Sequence, residues 1–327
     1  MSNDRDLKGV LVTNYTLLVK FNSKYSLNCI CTENVTDKCL DILKNNNINV
    51  ISFNFSKILK SYGINQEYCD YIINKHYYGK YLIFLLDTFD KVLYLDTDLL
   101  LLKPLDDYLE NFLVKPNTLY MVYDILACKK IQHTVECTFI KNMFNSGVMF
   151  IKPDKSIFDI LINVIKNINF EMFKKNVKTD QCIIQIAYTE KLINIVPLHP
   201  KFNISPYSVQ SNVQSGLLDL DEVIIIHFMN TIKPWDLVEI NKSPIKNHFG
   251  TIYETCVSSD YYNKWVKIYF EFIQNKYFNT RIFGKSKFIN RYNYSLTEPE
   301  NYFSIENFNK PNIQLNLKNI SSDIKKY

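Results

Sequence analysis

The 327 residues are 47% hydrophobic and 22% charged, enough to bury one large core or two smaller ones. The formal net charge of +5 is weak for this length, and no basic stripe interleaves with the aromatics, which argues against a nucleic-acid-binding chain. Eight cysteines with no Cys-x-x-Cys pair argue against a structural zinc site, and the length argues against a disulfide-stapled scaffold.

The opening Met1-Ser2-Asn3-Asp4-Arg5-Asp6 is polar and unlike a secretory signal. Gly9–Phe21 carries strand formers (Val10, Val12, Thr16, Val19) and also a helical stripe (Leu7, Val10, Leu11, Leu18, Phe21). Periodicity alone favours a strand there. Leu27–Thr32 predicts a strand in which Cys29 and Cys31 pack as small hydrophobes, and Glu33–Asn46 predicts a helix with Val35, Cys39, Leu40 and Leu43 on one face. Val50–Phe55 predicts a strand, Tyr77–Thr88 an aromatic helix, and Lys91–Leu95 a strand running into Asp96. Leu119–Tyr123 and Val148–Ile151 follow as strands, and Ser156–Ile168 as a helix. Cys182–Tyr188 is a helix capped by Thr179 or Asp180, and Asn194–Pro197 and Glu222–His227 are later strands. Tyr261–Gln274 predicts an aromatic amphipathic helix, and the stretch from Asn275 on reads as a loose polar tail. This alternation predicts an α/β fold with a mostly parallel sheet flanked by helices, over residues 1–250, with a helical extension over 251–327. The most apolar windows are too short to span a bilayer, so the expected setting is a reducing, cytoplasmic one without a membrane partner.

In such sheets ligands bind beyond the carboxyl ends of strands. Asp96-Thr97-Asp98 closes one apolar strand, and His227 closes another, Val223–Ile226, with Lys233-Pro234-Trp235 shortly after. Two carboxylates and an imidazole offer ligands to a hard divalent ion, and a lysine nearby neutralises phosphate oxygens. Each piece has a bland alternative: an acidic turn, a core histidine, a surface lysine at Lys80. Asn145-Ser146-Gly147 reads as a turn before a strand, and Asp180-Gln181 as a helix cap. Placed at one sheet end, the same amides and carboxylates suit a sugar or an oxocarbenium-like transition state.

In order along the chain, these residues resemble the family 8 glycosyltransferases, glycogenin most closely. The matching pieces are Lys80, Tyr94-Leu95-Asp96-Thr97-Asp98, Asp124, Phe144-Asn145-Ser146-Gly147-Val148, Asp180-Gln181, Phe202-Asn203, and His227-Phe228 through Lys233-Pro234-Trp235. The resemblance implies a GT-A type, Rossmann-like nucleotide-diphospho-sugar transferase with retention of anomeric configuration. Asp96, Asp98 and His227 would hold Mn²⁺, with Mg²⁺ as the alternative, on the diphosphate of a UDP-sugar. Lys233 would bind that diphosphate, and Lys80 the donor side of the pocket. Thr97, Asp124, Asn145, Ser146, Asn203 and Gln181 would line the donor site. Asp180, with Gln181, would be the catalytic candidate, as nucleophile or charge stabiliser. The acceptor, whether protein, glycan or small molecule, is open, as is a homodimer.

The resemblance also has departures. Asn230 stands where the family has Gly, Gln210 where glycogenin has its acceptor tyrosine, and Asp6 where the family places a tyrosine against uracil. Ser2–Gly9 matches the segment after the family's first strand, which makes Gly9–Phe21 the first helix and leaves that strand before residue 1. Three explanations follow: the start codon is misassigned and the frame opens upstream, another segment fills the gap, or the chain is a catalytically impaired relic of the fold that acts by binding, which is the second expectation.

Overall fold

A computed structural model describes residues 1–124, 143–177, 179–229, 233–236 and 256–279, with side chains of the last stretch between 260 and 275. Two compact units divide the chain, Met1–Thr231 and Ile232–Tyr327.

The first unit opens with a 3-10 turn, Asp4–Asp6, capped by Asn3, whose side chain accepts from the Arg5 N–H (3.0 Å). It runs into α1 (Leu7–Tyr15) and a π turn, Thr16–Lys20. The strand favoured by periodicity for Gly9–Phe21 is thus corrected to a helix, as the alignment with the family required. Every residue from Gly9 to Leu17 is buried. A helix covered all round has no polar face to set off its apolar stripe, and its β-branched residues imitate a strand.

The next elements are β1 (Asn28–Thr32), α2 (Asp37–Lys44), β2 (Asn49–Phe53), α3 (Phe55–Ser61) and α4 (Gln66–Asn74). Caps fix these helix starts: Thr36, Asn54 and Asn65 each accept from the backbone N–H three residues on. The expected aromatic helix is a 3-10 segment, Tyr78–Leu85. Then come β3 (Val92–Leu95), β4 (Leu99–Leu101), α5 (Asp106–Asn111), β5 (Thr118–Tyr123), β6 (Phe144–Ile151), α6 (Lys155–Asn167), α7 (Phe170–Asn176), α8 (Asp180–Thr189), β7 (Asn194–Pro197), α9 (Val209–Gln214) and β8 (Ile225–His227). The expected strand Glu222–His227 shortens to its last half, since Leu220–Glu222 is a 3-10 turn.

The strands are flanked by helices as expected, and their directions are mixed. The main sheet has the order β3-β6-β5-β7, with β6 antiparallel to both neighbours and β7 parallel to β5. β1 and β2 form a separate parallel pair, and β4 and β8 an antiparallel one. Among the described residues no strand stands between β1 and the main sheet. Instead Met1 lies along β1: its amino group donates to the Ile30 carbonyl, and the Thr32 N–H donates to the Met1 carbonyl (3.1 Å).

β5 and β6 are buried on both faces, which is why they read as unbroken apolar runs. On one face Met121, Met149 and Ile151 pack against Phe158, Leu161, Ile162 and Ile165 of α6 and Ile183, Ile184 and Ala187 of α8. On the other, Tyr120, Val122, Val148 and Phe150 meet Leu99 and Leu101 of β4, Phe202, Ile224 and Ile225. Each such side chain contributes about 1.5–3 kcal/mol by leaving water. The consequence for function is that β3, β5, β6 and β8 are held rigidly where their polar ends converge. Five cysteines among the described residues are free thiols, and Cys29, Cys31, Cys39 and Cys69 are buried, as small hydrophobes would be.

In the second unit, α10 (Cys256–Asn279) buries Tyr262, Trp265, Val266, Tyr269 and Phe272 at helical spacing. The rings of Trp265 and Tyr269 stack at 5.7 Å, and Trp235 lies 6.0 Å from Trp265. The polar tail from 280 on, and Asn230, lie outside the described residues.

Candidate active site

β3 delivers Asp96, and pairing with β6 continues one residue past the strand: the Asp96 N–H donates to the Gly147 carbonyl (2.8 Å). The chain bends through Thr97, which is half-buried, and Asp98 before β4 begins. β4 pairs with β8 so that Leu99 faces His227, and the Phe228 N–H donates to the Asp98 carbonyl (2.9 Å). Two residues far apart in sequence are thereby fixed side by side. His227 Nε2 lies 3.1 Å from Asp98 Oδ1 and 3.7 Å from Asp96 Oδ2. One ligand atom from each of Asp96, Asp98 and His227 falls within 4.8 Å of the others.

Gly147 makes this approach feasible. A Cβ at that position would overlap the His227 ring at Cε1 and Nδ1 and lie 3.0 Å from Asn145 Oδ1. Asn145-Ser146-Gly147 is not the turn that the sequence suggests but the buried first half of β6, next to a register shift in its partner β5 between Met121 and Val122.

A second cluster centres on Lys80, whose side chain is only 7% exposed. Its ammonium lies 3.1 Å from Asp96 Oδ1 and 3.3 Å from Asp180 Oδ2, and donates to Ser146 Oγ (3.0 Å). Ser146 Oγ donates in turn to Asp180, and the Tyr94 hydroxyl donates to Asp96 Oδ1 (2.6 Å). Burial pushes Lys80 down, but Asp180 and Asp96 outweigh it and hold the ammonium above its ordinary range. Burial pushes the Asp180 carboxyl up, with Lys80 opposing and Asp96 adding to the rise. One ammonium thus serves two carboxylates, while Asp98 and Asp124 add negative charge close by.

Amides form a third group. Asp124, at the end of β5, accepts on Oδ2 from Asn145 Nδ2 (3.3 Å) and Gln181 Nε2 (3.2 Å). Gln181 Oε1 accepts from the Ser146 N–H (3.3 Å). Asn203 Nδ2 donates to Asn145 Oδ1 (2.8 Å), and Asn203 Oδ1 meets His227 Nδ1 at 2.9 Å. Thr179 occupies the cap position of α8 without a side-chain bond to a backbone N–H of the helix, its hydroxyl pairing instead with Cys182 Sγ (3.8 Å), and Asp180 is the first helical residue.

The structure therefore brings together Lys80, Asp96, Asp98, Asp124, Asn145, Ser146, Asp180, Gln181, Asn203 and His227. Lys233 belongs to the second unit, where its N–H is capped by Asp236 Oδ2 (2.8 Å). Three further contributors carry no expected role in the sequence, although the resemblance touches two of them, Tyr94 and Asp6. Tyr94 sits two before Asp96, hence on the same strand face, and that spacing was a usable signal. Tyr81 donates its hydroxyl to the Asp180 carbonyl (2.8 Å). Asp6 is half-buried, and its carboxyl is pushed up first by burial and then by the charges of Asp98 and Asp96, with the amino terminus opposing.

The donor set fits a divalent cation. Around a hexacoordinate ion with ligands at about 2.1 Å, neighbouring ligand atoms stand about 3 Å apart, close to the His227–Asp98 spacing. Two carboxylates with one imidazole suit Mn²⁺ or Mg²⁺ better than a thiophilic metal.

Comparison with known proteins gives a consistent result. The chain is 24% identical over 271 residues to "Uncharacterized protein R707" of Acanthamoeba polyphaga mimivirus, covering 82% of this chain and 90% of that one. It is similar to the crystal structure of the glycosyltransferase GlyE from Streptococcus pneumoniae TIGR4 (17% identity, TM-score 0.47, 84% of this chain and 63% of that one). It also matches the WbbM bifunctional glycosyltransferase (16% identity, TM-score 0.50, 71% of this chain and 45% of that one), with which it shares the GT-A fold. The chain thus spans less than two thirds of either solved structure. The model of glycosyl transferase family 8 matches residues 3–239, and the chain belongs to that family.

Proposed function

We propose that this chain is a metal-dependent, retaining glycosyltransferase that takes a hexose from a UDP-sugar. The observation that carries the reading is the convergence of Asp96, Asp98 and His227 beside a belt of buried amides and carboxylates. Asp96, Asp98 and His227 would hold Mn²⁺, or Mg²⁺ in its place, and the bound ion would supply Lewis-acid stabilisation of the departing UDP. Lys233 would add its charge to the diphosphate. Asp124, Asn145, Ser146 and Gln181 present hydrogen-bonding atoms of the kind that orient sugar hydroxyls, and Thr97 lies at the bend between the two carboxylates. Lys80 ties a metal ligand, Asp96, to Asp180, the group best placed to stabilise positive charge on the sugar ring or to attack it. No helix among the described residues is long and apolar enough to cross a membrane, and the free thiols suit a reducing compartment. We therefore assign the work to the cytoplasm.

The test is hydrolysis of UDP-glucose and UDP-galactose without acceptor, with Mn²⁺ and after chelation. Turnover should need the metal, and Asp98→Asn should lower it by more than about 100-fold, since changes around the ligands alone cost about 10–100-fold. Equal turnover in EDTA would sink the proposal. The second reading, a binding protein on a relic fold, is favoured by Asp6 and by the separation of β1–β2 from the main sheet. It expects no thermal protection by UDP with Mn²⁺ and an Asp98→Asn variant that keeps its biological effect.

A further inference from the structure

We propose that Asn203 is a positioning residue which, through Asn145, fixes His227 as the Nδ1–H tautomer and so presents the Nε2 lone pair to the cation. The polarity of the relay is set at one end by a group that cannot be reversed. The Gly147 backbone N–H donates to Asn145 Oδ1 (2.9 Å), so that oxygen, not the amide nitrogen, must face the strand. Asn203 must then turn its NH₂ toward Asn145 Oδ1 (2.8 Å), which leaves Asn203 Oδ1 against His227 Nδ1 (2.9 Å). An oxygen with no hydrogen requires the proton on Nδ1. The other end agrees: Asn145 Nδ2 points at Asp124 Oδ2 (3.3 Å), an acceptor.

Burial completes the argument. Asn145, Asn203 and His227 are 4%, 3% and 4% exposed, so bulk water offers little substitute for a lost partner. Gly147 sets both the polarity, by its N–H, and the ring position, by its lack of a side chain. The relay also links the two halves of the chemistry, since it runs without a break from a metal ligand to Asp124. Ligand histidines are commonly held this way, by an acceptor on the ring nitrogen opposite the metal. The inference rests on the cation reading of the triad but can fail independently of it.

The test needs no activity. In metal-free protein labelled with ¹⁵N-histidine, long-range ¹H–¹⁵N spectra should show a proton on His227 Nδ1, whatever Nε2 shares with Asp98 Oδ1 at 3.1 Å. His227→Gln identifies the signal. Asn203→Leu, which keeps the volume but removes the acceptor, should move the proton to Nε2 and weaken Mn²⁺ binding, read by calorimetry, by about 10–100-fold. Asn203→Asp keeps an oxygen facing Nδ1 but loses the donor to Asn145 Oδ1, so it should keep the Nδ1 proton and bind Mn²⁺ more tightly than Asn203→Leu. A wild-type Nδ1 that carries no proton overturns the inference with no variant involved, and so does an Asn203→Leu protein that binds Mn²⁺ as wild type does. If Asn203→Asp loses the Nδ1 proton as Asn203→Leu does, the amide acts by packing and the inference also falls. Wild-type protein that binds no Mn²⁺ overturns instead the reading on which the inference rests.

Discussion

Around β6, polar side chains answer one another: Lys80 with Asp96 and Asp180, Ser146 with Asp180, Asn145 with Asp124, Asn203 with His227. Around β1 the chain is put together differently. The pair β1–β2 stands apart from the main sheet, the backbone of Met1 lies along its edge, and the side chains between are thiols, with Cys29 Sγ 3.7 Å from Cys31 Sγ. Burial and Cys31 act on Cys29 in opposite directions; its thiol hydrogen bond to Cys31 has the larger effect, and the nearby amino terminus also helps lower it to about 6. The region that would perform chemistry is over-determined by its contacts. The region where the family resemblance puts the base is the one that departs from the family, at Asp6. A binding relic would have no need for the first region to stay so well ordered, so the contrast favours retained chemistry with altered nucleotide recognition.

The largest effect should come from breaking the ordered side at its centre. Lys80→Met keeps the stem but removes the ammonium, leaving Asp96 and Asp180 buried against each other. Removing one partner of a buried ion cluster costs about 3–5 kcal/mol, which should appear as a lower urea midpoint without change in slope. Mn²⁺ should recover part of the loss, since it supplies positive charge at Asp96. A midpoint equal to that of wild type would mean that the three-way cluster is not buried as described.

Gly147→Ala comes next. The added methyl overlaps the imidazole, and overpacking a close-packed interior costs about 1–3 kcal/mol. Because β6 cannot move without disturbing both core faces, His227 must yield, and Mn²⁺ affinity should fall together with stability. Calorimetric titration with Mn²⁺ checks this. Loss of stability with undiminished metal binding would show that His227 is not the third ligand.

How legible this was from sequence differs between the same two regions. The strands β1, β2, β3, β5 and β7 follow from apolar runs bounded by polar turns, within a residue or two. The convergence of Asp96, Asp98 and His227 follows only from order and resemblance, because nothing local in Asp96-Thr97-Asp98 says that β8 will lie beside β4. The helix at Leu7–Tyr15 was misread by periodicity because it is buried all round, and the mixed strand directions were hidden because a strand buried on both faces carries no mark of its direction. Tyr81 and Asp6 could not be found from spacing, since tertiary packing alone brings them to the site.

Nucleotide binding itself offers a gentler comparison of the two regions. UDP with Mn²⁺ at about 100 times its dissociation constant should stabilise the protein by about 2.7 kcal/mol, and Mn²⁺ alone by less. If UDP adds nothing to the effect of Mn²⁺, the ordered region binds a cation but the β1 side takes no nucleotide, and the relic reading gains.

The smallest change expected is also the most specific to the β1 side. Asp6 contributes a half-buried carboxylate beside Asp98 and Asp96, which the pushed-up carboxyl of Asp6 reflects, in the place where the resemblance puts an aromatic ring against uracil. Asp6→Tyr should restore a stacking surface worth about 0.5–1.5 kcal/mol and tighten UDP binding by about 2–12-fold. Asp6→Asn relieves the charge without adding a ring and should leave most of that gain unrealised, which separates stacking from electrostatics. If Asp6→Tyr weakens UDP while Asp6→Asn leaves it unchanged, the carboxylate is not a lesion in a uracil site. The base pocket would then be built for a different partner, while the cation site next to it stays as it is.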